Sequence, residues 1–178
     1  IFGSVSNPWY VIARKFTKNP EINQEIDGKE PKIDFLKNFV QKKGTALGPR
    51  NKPITTATHI VQIVKFLTKK MNFKSQMQLD TMAKEMEVAQ NICNKELNEF
   101  FSNVGIFKKI LITEKVNDNV TKYREDTSKD ALLLKPMPHV ALFKAIHFLK
   151  KNTDMDVDAI YRAANKIDFS YEKGKDHQ

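Results

Sequence analysis

The residues best equipped for chemistry lie between positions 90 and 98. Gln90, Asn91, Asn94, Lys95 and Asn98 recur three and four apart. On a helix this puts them opposite an apolar stripe of Cys93, Leu97, Phe100, Phe101 and Val104. Amides make paired hydrogen bonds to adenine in a major groove, and a lysine reaches guanine or phosphate, so such a face can read nucleic acid. Glu96 and Glu99 dilute it with negative charge. The plainer reading is the wet side of an amphipathic helix, or a protein interface.

A second group is electrostatic. Arg14, Lys15, Lys18, Lys37, Lys42, Lys43, Arg50 and Lys52 are candidates for holding a phosphate backbone. Trp9, Tyr10 and Phe16 interleave with the first of them, a combination that stacks on single strands, although aromatics at helical spacing are usually core. A third group, Lys115, Lys122 and Arg124, would line a phosphate backbone if carried on a hairpin. The same lysines would also protect an exposed strand edge from aggregation.

Other constellations fail on spacing. Asp154, Asp156 and Asp158 resemble the opening of a calcium loop, but no Gly follows at the sixth position and no Glu at the twelfth. Helix capping and first-turn charge explain them better. Gly48 is followed by Pro49, which breaks a phosphate-loop pattern. His59, His139, His147 and His177 have no metal-ligand spacing, and no nucleophile or dinucleotide motif occurs. The expectation is a non-enzymatic chain with no catalytic residues, metal or cofactor. Cys93, the single cysteine, allows no internal disulfide and implies a reducing, intracellular compartment, cytoplasm or nucleus.

The elements that must position these residues follow from hydrophobic period. Asn7-Pro8 opens a helix with Trp9, Ile12, Ala13 and Phe16 inward; a second helix from Pro31 uses Ile33, Leu36, Phe39 and Val40. Residues 44–53 read as a linker. Ile60, Ile63, Val64, Leu67 and Met71 form one helical stripe, Leu79, Met82, Ala83 and Met86 a second, and the set from Cys93 to Val104 a third, with Gly105 at a helix-end position. Residues 107–116 are rich in β-branched types, 117–119 are turn-forming and 120–124 read as a returning strand. Residues 132–134 suggest a further strand and Pro136-Met-Pro138 an extended turn. Two helices, over 139–151 and 156–169, complete the chain.

Helix, helix, helix, hairpin over residues 58–124 resembles the winged-helix superfamily. That resemblance implies a third helix that enters the major groove and a wing that touches the backbone. The expected fold is mainly α with a small β-hairpin: a basic helical pair over 1–48, a winged-helix core over 54–128, a helical pair over 136–169 packed on that core, and a mobile tail over 170–178.

Composition bounds the partners. The 178 residues, 40% of them hydrophobic, suffice for a substantial core, and no apolar run is long enough to span a membrane. The first residue is Ile1 rather than Met, as in a processed or trimmed chain; no signal or transit sequence is evident. The net charge of +9 invites an anionic partner, DNA or RNA. Residues 1–55 carry 10 basic and 5 acidic residues, residues 56–128 carry 11 and 9, and residues 129–178 carry 9 and 7. Most of the surplus is therefore amino-terminal, outside the winged-helix segment. The leading expectation is a nucleic-acid-binding protein of replication, transcription or genome packaging. The alternatives are a winged-helix protein–protein or assembly subunit, including a homo-oligomer, and a viral nucleocapsid-like structural protein.

Overall fold

A computed structural model describes residues 5–18, 40–41, 44, 46–47, 50–78, 82–113, 116–125 and 131–170. Strand β1 (Val5–Ser6) leads into helix α1 (Pro8–Lys18). Asn7 Oδ1 accepts from the Tyr10 amide at 3.4 Å, and Pro8 opens the first turn, where its missing N–H costs nothing. Strand β2 (Val40–Gln41) and β3 (Thr55–Thr56) pair in parallel, Val40 opposite Thr55. Helix α2 (Ala57–Leu67) is capped by Thr56, whose hydroxyl accepts from the His59 amide at 3.3 Å. Strand β4 (Met77–Gln78) pairs antiparallel with β1. Helices α3 (Ala83–Asn103), α4 (Gly105–Leu111) and α5 (Val116–Glu125) follow, then a 3-10 turn (Ala131–Leu134), α6 (Pro136–Asn152) and α7 (Val157–Ala164).

The protein is thus mainly helical, with two very short strand pairs among the described residues. Helix α1 packs on α2 and α3, α2 on α6, α3 on α4, and α6 on α7. One cluster of buried side chains runs from Ile12 and Phe16 of α1 through Phe100, Phe101, Phe107 and Phe143 to Ile160 and Tyr161 of α7. Phe100 is its aromatic hub, its ring centre 5.2 to 5.6 Å from those of Phe101, Phe107 and Phe143.

The expected hairpin is not there. Residues 105–111 and 116–125 are helical, so no wing forms. Ile106, Phe107, Ile110 and Leu111 are all buried, a pattern of neighbours repeated four residues on that belongs to a helix. As a strand, the same segment would mix lysine and aliphatic residues on both faces. The turn-forming residues 117–119 fall in the first turn of α5, where Asn and Asp are well tolerated.

Other expectations change too. Met82, Ala83 and Met86 do not form a separate helix from Cys93; α3 runs unbroken from Ala83 to Asn103. Val40, expected on the apolar face of a helix, lies in β2, and residues 31–39 of that expected helix fall outside the described residues. Residues 132–134 form a 3-10 turn instead of a strand, and Pro136 opens α6 instead of an extended turn. The last helix ends at Ala164, short of 169. The tail over 171–178 is outside the described residues.

The 44–53 segment is tied down at its far end. Arg124 is buried, and its guanidinium donates to the carbonyls of Asn51, Pro53 (2.7 Å) and Leu134 (3.0 and 3.2 Å). At the α3–α4 junction the Gly105 N–H donates to Asn165 Oδ1 at 2.8 Å, while Asn165 Nδ2 donates to the Asn103 carbonyl at 3.0 Å. One side chain from beyond α7 thus serves both the last carbonyl of α3 and the first amide of α4.

Candidate nucleic-acid interface

Helix α1 is a basic ridge between two clefts. Its inner face buries Ile12, Ala13 and Phe16, so helical geometry turns Arg14, Lys15 and Lys18 outward, and all three are exposed. Trp9 is not a free platform: it packs on the core, and Lys65 Nζ lies 4.8 Å from its ring centre. Tyr10 is the exposed aromatic, at 52%. Tyr10, Arg14 and Lys18 form an i, i+4, i+8 row, a signal present in the sequence but overshadowed by Trp9.

On one side, α1, α2 and β2 enclose a cleft of about 510 Å³ lined by Tyr10, Arg14 and Lys18 over Ala13, Val40, Ala57 and Val61. On the other, α1 and α3 enclose about 320 Å³, lined by Lys15 of α1 and by Glu87, Gln90 and Asn91 of α3, with Val11 and Met86 below. Residues about 75 positions apart in the chain therefore share one surface.

Only part of the expected α3 face is available. Asn91 and Lys95 are exposed. Gln90, Asn94 and Asn98 are half-buried, and Gln90 Nε2 donates to Asn94 Oδ1 at 2.7 Å. Gln90 Oε1 is buried without a hydrogen-bond partner among the described residues, an acceptor beside the second cleft. Val88 (51% exposed) and Ile92 (39%) stand beside Asn91, so the face is less polar than its amides suggest.

The two acids that dilute this face in sequence point elsewhere. Glu96 accepts from Lys150 at 2.9 Å and lies 3.1 Å from His147 Nδ1; Glu99 accepts from Lys150 at 2.7 Å. Burial alone would raise the Glu96 carboxyl, but the hydrogen bonds from Lys150 and His147 outweigh it and hold the group below its usual range. Burial opposes the charge on Lys150, yet its bonds to Glu99 and Glu96 raise its pKa overall. Burial and the nearby Glu99 and Glu96 push the Tyr161 phenol up. These charges join α3 to α6 and α7.

The remaining candidates divide. Arg50 and Lys52 are exposed beside β3, and Lys122 is exposed on α5. Lys42, Lys43 and Lys115 lie outside the described residues. Arg124 is removed from the set, because its guanidinium is spent on three backbone carbonyls and cannot reach a phosphate. Searches against protein-family models, curated proteins and solved structures return no match.

Two further constellations are closed to ligands in this conformation. His139 Nδ1 lies 3.2 Å from the Leu133 carbonyl and Nε2 lies 2.9 Å from Thr55 Oγ1, so the ring donates to the former and accepts from the hydroxyl. Both residues are wholly buried, and burial drives the His139 pKa down to about 3. A hydroxyl–imidazole pair sealed in this way is structural. Cys93 is buried within α3; burial first, and Glu96 second, push its thiol up to about 12, which leaves it an unreactive core residue. Among the described residues no group of His, Cys, Asp and Glu is arranged to hold a metal ion, and no helix is long and apolar enough to cross a membrane.

Proposed function

We propose that this protein is a non-enzymatic nucleic-acid-binding protein whose contact surface is the ridge of α1 with the exposed edge of α3. The observation that carries the reading is the meeting of Lys15 with Gln90 and Asn91 at one cleft, beside the outward Arg14 and Lys18. Cations supply affinity for phosphate without regard to sequence, while the exposed Asn91 and Lys95 offer limited contacts to base edges. The winged-helix resemblance enters only through α2 and α3, and no step depends on a wing.

The test is anisotropy of labelled DNA and RNA, single- and double-stranded, titrated over a range of salt. Replacing Arg14, Lys15 and Lys18 together by Ala is expected to reduce the slope of log affinity against log salt by roughly 2, since each phosphate that a cation neutralises adds somewhat under one unit to that slope. Absence of binding at low salt would overturn the reading.

A specific observation favours a second function, a protein-interaction module. Val88 and Ile92 place two exposed aliphatic side chains one turn apart on α3, where a protein partner gains more than a phosphate backbone does. Lys substitutions at these two positions distinguish the readings. They would strengthen or spare nucleic-acid binding under the first and abolish partner binding under the second.

A further inference from the structure

We infer that the cleft between α1 and α2 is a seat for one unpaired base of a single strand, with Tyr10 as its stacking surface and Arg14 and Lys18 as its phosphate contacts. The inference rests on the nucleic-acid reading above and narrows it to a strand type. The cleft, at about 510 Å³, is within the range of small-ligand sites. Ala13, Val40, Ala57 and Val61 give it an apolar floor of small or β-branched side chains, which suits the flat face of a base, and the Thr17 hydroxyl that also lines it donates to the Arg14 carbonyl at 3.1 Å. Its rim carries an exposed phenol ring and two cations. Among the described residues no carboxylate lines the cleft, and neither Arg14 nor Lys18 has an ion-pair partner.

The exposed aromatic favours a single strand over a duplex. Tyr10, Arg14 and Lys18 succeed one another every four residues, so ring and cations share one edge of the helix. A duplex hides the base faces, leaving the Tyr10 ring nothing to stack on, whereas an unstacked base presents its face. An acidic peptide with an aromatic side chain has related chemistry. The two cations serve either ligand; the broad apolar floor favours the flat face of a base.

The experiment compares a labelled oligothymidylate of about 12 nucleotides with a labelled duplex of similar length, by anisotropy at fixed low salt. The proteins are the full chain and its Tyr10→Ala and Tyr10→Phe forms, each checked for native helicity by circular dichroism. Tyr10 is exposed, so both substitutions are expected to fold. The expected result is a loss of about fivefold or more in oligothymidylate affinity for Tyr10→Ala, with Tyr10→Phe near the original and duplex affinity unchanged. If oligothymidylate binds but Tyr10→Ala leaves it unchanged, or weakens the duplex equally, the seat is wrong while nucleic-acid binding stands. Tighter binding of an acidic aromatic peptide than of oligothymidylate also overturns it. If the full chain binds neither nucleic acid, seat and function fall together.

Discussion

Arg124 carries a charge into the core and surrounds it with carbonyl oxygens from Asn51, Pro53 and Leu134. Burial lowers its pKa to about 10, so the guanidinium stays charged at neutral pH. A planar fork with five donors can reach three carbonyls on two backbone segments at once, which neither Lys nor Gln can do. Removing it strips three carbonyls of their donor and leaves a cavity. Arg124→Ala is expected to destabilise the protein by about 3 kcal/mol or more in denaturant unfolding, and Arg124→Lys to recover little of it. A phosphate-binding role would instead predict weaker binding at unchanged stability. At this scale the sequence named the right residue types and assigned one to the wrong task, because a basic residue looks the same whether it faces water or carbonyls. Tyr10 and Trp9 are the reverse case: adjacent aromatics whose exposure is decided by the helical angle between them.

Helices α4 and α5 occupy the segment that local preference marks for a hairpin. β-branched and aromatic residues favour strands by about 1 kcal/mol at most, an amount tertiary packing readily outweighs. Here Ile106, Phe107, Ile110 and Leu111 bury together only if the backbone is helical, and Phe107 then meets Phe100, Phe101 and His139. The two conformations make opposite predictions for neighbours. In a strand Ile110 and Leu111 point to opposite faces, and one of them tolerates a charge; in the helix both are fully buried. Ile110→Lys and Leu111→Lys are each expected to cost about 3 kcal/mol or more in unfolding experiments, whereas Lys109→Ala, at an exposed position, is expected to stay within about 0.5 kcal/mol. Tolerance at either buried position would argue for the strand.

The whole molecule should weaken on the acid side. His139 stays neutral when folded, its pKa lowered to about 3 from 6.5 by burial, by the nearby His59 and by the Arg124 charge, against the hydrogen bond to Leu133. His59 is lowered by burial too. The unfolded chain protonates these rings below about pH 6.5, so it binds more protons than the native state, and stability rises with pH. Between about pH 6.5 and pH 3 the His139 contribution is lost as pH falls, on the order of 1 kcal/mol per pH unit. Glu96, held low by Lys150 and His147, contributes stability above its unfolded pKa that is lost in the same direction at lower pH. Urea unfolding from pH 7 to pH 4 checks this. His139→Gln is expected to flatten the slope, and a pH-independent midpoint in the original protein would refute the assignment.

Period and charge were legible in the sequence alone. The apolar spacings of α1, α2 and α6 were strong enough to define helices on their own, and the start at Asn7-Pro8 and the amino-terminal surplus of positive charge were equally plain; that Asn7 is a cap comes from the structure. These depend on residues within a few turns of one another, where spacing dictates which side chains share a face. Three things depended on distant parts of the chain. Glu96 and Glu99 are both paired with Lys150, more than fifty positions on. Arg124 is drawn inward by carbonyls more than seventy positions back. Lys15 meets Gln90 and Asn91 only because α1 packs across α3. A linear sequence records which groups a chain owns; which of them remain for a partner is decided by the contacts that folding has already used.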